Sequence, residues 1–404
     1  MPKRKRKNGG SIVSLVVVIL AILGVYYAQT GSDPTGVVEA AKTTLPNIGD
    51  KIATAVESGT PVSSGSNTQP SSSDWWEVYF TDPLNVKDPA QWQNSIEGRL
   101  IEKINTAQTS IHIASFEFDL TPVAEALIAA HKRGVDVRWV TDNEFGLAAD
   151  TEPGNGQFAM LQNAGVEVHA DTRTALMHNK FWIFDGQILW TGSTNITKSG
   201  IFVQDNNTIV FFSPELATIY EREFQEMWDG KFGPKSPSQL ADQSLVLHGT
   251  PIQVIFTSED PALEPTIVPL VSSATSNIRF LAFSFTDFPL ADAMIQRAKA
   301  GVNVAGVMDK TQSGGQGAEL GTLFCAGVPV RQDGNPQFMH NKIIIVDERY
   351  VVTGSLNFST SAEESNDENV IIIDNPEIAK LYMQDFDRVW SVGTDPDPAK
   401  ITCP

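Results

Sequence analysis

Residues 177–197 read MHNKFWIFDGQILWTGSTNIT, and residues 339–359 read MHNKIIIVDERYVVTGSLNFS. His178, Lys180, Asp185, Gly192, Ser193 and Asn195 each stand 162 positions before His340, Lys342, Asp347, Gly354, Ser355 and Asn357, with no insertion between the copies. The repetition extends well beyond this motif. TSIHIASFEFDLTPVAEALIAAHKRGVDVRWVTD at 109–142 is matched, 167 positions on, by SNIRFLAFSFTDFPLADAMIQRAKAGVNVAGVMD at 276–309. VYFTDP at 78–83 is echoed by VIFTSEDP at 254–261. Self-similarity in one order along the chain, at long offsets of 162, 167 and 254 − 78 = 176 residues, requires two homologous folding units.

Each unit reads as strand, turn, amphipathic helix, glycine turn and an apolar strand ending in Asp, which is a βαβ arrangement. A second helix follows (GQFAMLQNAGVEV or AELGTLFCAGVPV), then the motif strand, a further apolar strand (NTIVFF or NVIIID) and a closing helix that ends near a Trp. Strands this apolar, alternating with helices, imply a sheet covered on both faces. The expected class is therefore α/β, with two α/β/α lobes at 74–247 and 248–404, each a mostly parallel or mixed sheet flanked by helices.

The region before the repeats has a different character. The run KRKRK at 3–7 precedes SIVSLVVVILAILGVYYA at 11–28, a stretch of 18 residues without a charge. That is near the lower end of the ~17 to 25 residues that span a bilayer. Residues 1–28 thus read as a basic N-terminus and a transmembrane signal anchor, with the N-terminus cytoplasmic and the body extracytoplasmic. Cleavage of the segment as a signal peptide would instead make the body secreted. Residues 29–73 are rich in Ser, Thr, Gly and Pro and read as a flexible tether.

The formal charge of −19 includes the basic run; without it, 29 − 5 = 24 basic residues face 48 acidic ones, a net −24. Such a body repels polyanions at long range and lacks the footprint of an indiscriminate nucleic-acid binder. The two cysteines, Cys325 and Cys403, are too few for a disulfide framework and lack the partners of a metal site. Cys325 reads as a small core residue on a helix, and pairing between the two stays open.

Residues two apart on a strand share a face. His178 and Lys180 therefore point one way and Asp185 the other, and His340, Lys342 and Asp347 repeat the geometry. His and Lys form the reacting surface, and Asp supports the strand end. In the Gly-Ser-x-Asn turn, backbone N–H groups and the side chains of Ser193, Asn195, Ser355 and Asn357 can donate to a phosphate oxygen. One such histidine is uninformative. Two, among only six in the chain, at equivalent repeat positions point to one shared active site.

The doubled H-x-K-x(4)-D-x(6)-G-S-x-N resembles the signature of the phospholipase D superfamily from about residue 75 to the C-terminus. GSLNFSTSAEESNDEN at 354–369 is similar to the subgroup of bacterial phospholipase D-like hydrolases, small endonucleases and mitochondrial cardiolipin hydrolase. The resemblance implies pseudo-twofold-related lobes, an intramolecular pseudo-dimer in a monomer, and one site at their interface. It implies that one His attacks phosphorus, that the other protonates the leaving alcohol, and that water then releases the phosphohistidine. It implies no metal and no cofactor. The substrate expected is a phospholipid membrane, which also holds the anchor, with nucleic acid the alternative and cardiolipin-synthase-like transfer a weaker third.

Fifteen residues after each motif glycine stand Asn207 and Asn369, preceded by QDN and NDE. The family resemblance places a carboxylate here to hold the far nitrogen of the catalytic His. Glu368 is expected to hold His340, with Asn206 in the equivalent place of lobe one and Asp205 pointing away. Glu117 and Asp119 match Ser284 and Thr286 and read as either a substrate contact or a solvated loop. Trp75 and Trp76 read as edge-strand packing rather than a membrane anchor, and SGGQG at 313–317 as a mobile loop near the cleft.

Overall fold

The computed structural model describes residues 71–335 and 337–403. The proposed anchor at 11–28 and the tether, apart from its last three residues, lie outside the described residues. Sixteen described strands form two eight-stranded sheets. The first contains β1 (Ser71–Ser73), β2 (Trp76–Phe80), β3 (Ser110–Ser115), β4 (Asp136–Thr141), β5 (Glu167–Ala170), β6 (Lys180–Phe184), β7 (Ile188–Gly192) and β8 (Asn207–Phe212). The second contains β9 (Ser244–Leu247), β10 (Thr250–Thr257), β11 (Asn277–Ala282), β12 (Asn303–Met308), β13 (Val330–Gln332), β14 (Lys342–Val346), β15 (Tyr350–Gly354) and β16 (Glu368–Asp374).

The orders are β1-β2-β8-β7-β6-β3-β4-β5 and β9-β10-β16-β15-β14-β11-β12-β13, so every strand has a counterpart. Both sheets are mixed: β3-β4-β5 and β11-β12-β13 are parallel, and the other neighbours are antiparallel. The edges differ slightly from the expected boundaries. Ser71–Ser73 pairs with β2, and Ser244–Leu247 pairs with β10 in the second sheet.

Both sheets lie in one compact unit, and the core explains why. Motif strands β6 (KFWIF) and β14 (KIIIV) are buried at every position. Phe181 and Ile183 of β6 share a cluster with Ile343 and Ile345 of β14. On the opposite face, Trp182 and Phe184 join lobe one's own cluster, and Ile344 and Val346 join lobe two's. The closing helices complete the shared core. Helix Pro214–Trp228 starts on Ser213, whose Oγ accepts from Leu216 N (3.2 Å); helix Pro376–Val392 starts on Asn375, whose Oδ1 accepts from Glu377 N (2.9 Å). Pro at the first helical position suits both starts. Their buried stripes, Leu216, Tyr220, Phe224, Met227 and Ile378, Tyr382, Phe386, Val389, follow the helical period and match residue for residue.

Trp76 is buried, and Trp75 stacks on Phe211 (6.0 Å) and His248 (5.1 Å), as edge-strand packing requires. Cys325 is not a core residue: it lies exposed at the end of helix Leu320–Cys325 and pairs with Cys403, tying the C-terminal tail to that helix. Gln312–Gly314 forms a short helical turn anchored where Thr311 N and Gln312 N donate to Asp309 Oδ1 (2.9 and 2.8 Å).

Candidate active site

His178 and His340 stand just before β6 and β14, and the two motif lysines open those strands; all four side chains are buried. The approach to each histidine is fixed twice. Met177 N donates to Asp142 Oδ2 (3.1 Å) and Met339 N to Asp309 Oδ2 (3.1 Å), so the acids that close β4 and β12 hold the motif strands. The other anchor comes from the opposite lobe: His178 N donates to Asp367 O (2.9 Å) and His340 N to Asp205 O (2.8 Å). Lys180 Nζ donates to His178 O (2.7 Å) and Lys342 Nζ to His340 O (2.8 Å).

A phenylalanine floors each half. Phe116 lies 4.9 Å from the His178 ring and 5.1 Å from Lys180 Nζ; Phe283 lies 4.7 Å from the His340 ring and 4.8 Å from Lys342 Nζ. These residues escaped the sequence reading, although both sit at equivalent places in the 167-residue repeat.

The histidine partners correct the sequence reading. Glu368 does not hold His340. His178 Nδ1 lies 2.7 Å from Glu368 Oε2, and His340 Nδ1 lies 2.9 Å from Asn206 Oδ1. The backing groups cross the interface because β8 and β16 begin beside the opposite lobe's motif strand, where Asp205 bridges to Met339 and Asp367 to Met177. The amide orientation is set by its own contacts. Asn206 Nδ2 donates to Gly200 O (2.9 Å), leaving Oδ1 to accept from His340 Nδ1. Each neutral imidazole thus carries its proton on Nδ1 and keeps a lone pair on Nε2.

Two further expectations change. Ser193 and Ser355 were expected to donate to phosphate, but both are fully buried. Ser193 Oγ donates to Asn206 Oδ1 (2.9 Å) and accepts from Asn207 N (3.1 Å). Ser355 Oγ accepts from Asn369 N (3.0 Å) and hydrogen-bonds to Glu368. A hydroxyl has one proton, and here it serves the backing group. Asn195 Nδ2 donates to Glu117 Oε2 (3.2 Å), which brings Glu117 into the site, whereas Asp119 Oδ1 accepts from Lys198 N (2.7 Å). Asn357 belongs to the equivalent turn of lobe two.

Asp185 and Asp347 lie at the far ends of β6 and β14 from the histidines, so they are not reacting groups. Asp185 accepts from the N–H groups of Gln108, Thr109 and Ser110, and Asp347 from those of Thr275, Ser276 and Asn277, at 2.6–3.1 Å. Each carboxylate clamps the turn into the neighbouring strand; burial pushes its pKa up, but the several N–H and hydroxyl donors together outweigh that and hold it below the ordinary carboxylate range.

Around the site runs a buried amide seam that the sequence reading missed. Asn369 Nδ2 donates to Asn179 Oδ1 (2.9 Å), and Thr191 Oγ1 donates to Asn369 Oδ1 (2.8 Å). Asn207 Nδ2 donates to Asn341 Oδ1 (2.8 Å), and Thr353 Oγ1 donates to Asn207 Oδ1 (2.8 Å). All six are buried to 1% exposure or less. The motif glycines permit this approach. Gly192 (φ 149°) and Gly354 (φ 138°) bring their backbones so close that a Cβ would lie 2.3 Å from Asn207 O and 2.2 Å from Asn369 O.

Electrostatics set the resting state. Burial, then the nearby Lys180 and Lys342 ammonium groups, push both histidines well below the ordinary imidazole value, so both are neutral near pH 7. Burial lowers Lys180 to about 8 and pulls Lys342 well down. It raises Glu368 to about 7, with Lys180 opposing. Elsewhere, Glu223, Glu226 and Glu259 form the one acidic trio among the described residues with the spacing to hold a cation. Burial raises Glu223 and Glu259, which favours proton sharing there.

Two homologous lobes that exchange the groups behind a facing pair of histidines, with a lysine beside each, define a pseudo-dimeric protein with one composite site. The chain belongs to the phospholipase D-like family: residues 100–228 and again 267–390 match the family described as cardiolipin synthase, PLD-like domain. It is 36% identical over 118 residues to human mitochondrial cardiolipin hydrolase, covering 29% of this chain and 47% of that protein. It is 34% identical over 116 residues to a phospholipase D of Rickettsia conorii, covering 29% of this chain and 58% of that one. The chain thus spans about half the length of these relatives. Phosphatidylserine synthase of Haemophilus influenzae shares the fold, with a TM-score of 0.58 over 77% of this chain and 86% of that one at 14% identity.

Proposed function

We propose that this protein is a phosphodiesterase that hydrolyses phospholipid head groups, held at a membrane by its N-terminal segment with the catalytic body outside the cytoplasm. The observation that carries the reading is the crossed pair His178–Glu368 and His340–Asn206 inside one buried site flanked by two lysines. Family membership and the names of the relatives support the chemistry. The acidic body favours a lipid over a free polyanion. The Cys325–Cys403 pair suits an oxidising compartment. Among the described residues no helix is long and apolar enough to cross a membrane, so the anchor rests on the sequence of residues 11–28 alone.

His178 is the nucleophile. Its Nε2 lone pair attacks phosphorus while Nδ1–H stays on Glu368, whose carboxylate offsets the positive charge that develops on the phosphorylated ring. His340 is the general acid. An imidazolium backed by a neutral amide releases its proton more readily than one backed by a carboxylate, and that proton goes to the leaving alcohol. Water, deprotonated by His340, then attacks the phosphohistidine and restores His178. Lys180 and Lys342, with Asn195 and Asn357, stabilise the charge spread over the non-bridging oxygens.

The test presents the full-length protein in detergent with phospholipid vesicles and, separately, with single- and double-stranded DNA, in chelator. Head-group release without DNA cleavage is expected, and His178→Asn and His340→Asn should each lower it by ~10³-fold or more. DNA cleavage without lipid turnover would overturn the lipid reading, and substantial turnover by both variants would overturn the shared site.

A further inference from the structure

Besides Glu368, a second carboxylate at the site has no counterpart across the pseudo-twofold. Glu117 follows β3, and Ser284 holds the equivalent place after β11. Glu117 Oε2 accepts from Asn195 Nδ2; burial raises its pKa above the ordinary carboxylate value, Lys180 opposes that rise, and Asp119 and Asp142 add to it, so the charge is tested on the alkaline side. The charges that act on Lys342 are Lys180, Glu368 and Asp309, with none from the Ser284 position. One half of the phosphate pocket therefore pairs its lysine and its amide with a partly accessible carboxylate, and the other half does not.

We propose that Glu117 is a specificity-determining residue that tunes the pocket to accept a phosphodiester monoanion and to expel a phosphomonoester dianion, the product of the reaction included. The inference rests on the phosphodiesterase reading above. Hydrolysis breaks one P–O bond, places a hydroxyl from water on phosphorus and gives the proton to the departing alkoxide. The alcohol leaves neutral, and the remaining monoester gains a second ionisable oxygen with a pKa of ~6. A fixed carboxylate penalises each unit of ligand charge once, so the dianion is penalised twice and the monoanion once. At separations of several ångströms in a partly buried pocket, one such increment is worth about tenfold in affinity. Glu117 thereby opposes product retention by the same lysines that capture the substrate.

The test compares the affinities of dimethyl phosphate and methyl phosphate for the full-length protein at pH 8 by calorimetry. The wild-type ratio of the two affinities is the reference. Glu117→Gln, and Glu117→Ser, which copies the lobe-two residue, should each lower the diester-to-monoester preference by about tenfold, and Ser284→Glu should raise it. A ratio unchanged in both Glu117 variants overturns the proposal. The two readings fail separately: lipid turnover with an unmoved ratio removes Glu117's role alone, whereas a shifted ratio without lipid turnover removes the lipid reading and leaves the charge sorting in place.

Discussion

Lobe one and lobe two match along their motif strands, down to His, Lys, the amide seam and the phenylalanine floor. They differ in what each lends to the other's histidine: lobe two contributes Glu368 and lobe one Asn206. Packing does not account for the difference, since both positions are fully buried and both accept from an imidazole Nδ1. Charge does. Symmetric backing would give two histidines of equal basicity, whereas the proposed mechanism needs one that bears a covalent phosphoryl group and one that gives up a proton. A duplicated fold supplies two equal histidines, and in the proposed mechanism the Glu368/Asn206 difference divides their work.

That comparison can be broken in three steps of decreasing effect. Glu368→Gln keeps the hydrogen bond but removes the charge behind His178, so kcat should fall by ~10²-fold, measured on vesicle substrate; an unchanged kcat would leave the carboxylate without a role in chemistry. Asn206→Asp places a carboxylate behind His340 and raises its pKa. With His340 as the proposed acid, kcat/KM requires it protonated, and the folded site holds that group well below 6.5, so activity should decline as pH rises through that lowered value. In Asn206→Asp the alkaline limb should move up by about one unit; an unmoved limb would mean that His340 is not the acid. The amide seam, by contrast, is symmetric. Asn369→Ala and Asn207→Ala should each cost ~1–3 kcal/mol in urea unfolding, by similar amounts, because each strands a buried amide partner; a large inequality would show that the lobes differ in stability as well as in chemistry.

Much of this was legible in the sequence because it was written twice. The 162-residue offset located both His-Lys pairs, and the alternation of apolar strands with helices implied two helix-covered sheets, mostly parallel or mixed; they are mixed, with most neighbours antiparallel. What escaped reading was everything that crosses between the lobes. Sequence proximity suggested that Glu368 serves His340, 28 residues before it, yet strand β16 starts at the interface and its first residue presents the carboxylate to His178, 190 residues away. Asn179, Asn341, Asn207 and Asn369 stood in plain view inside the repeats, but their pairing depends on where the pseudo-twofold axis falls, and no local periodicity carries that. The serines were misread for a related reason. A Gly-Ser turn after a strand can present its hydroxyl outward or inward, and burial against the backing group decided the matter.

The central claim is that the histidine backed by the carboxylate is the one that carries phosphorus. It is tested most directly by quenching a turnover reaction in base, digesting the protein and mapping the phosphorylated peptide by mass spectrometry. The account predicts the adduct on the peptide that contains His178, with more of it accumulating in His340→Asn; an adduct on His340 in the wild type, or on neither histidine, would contradict it.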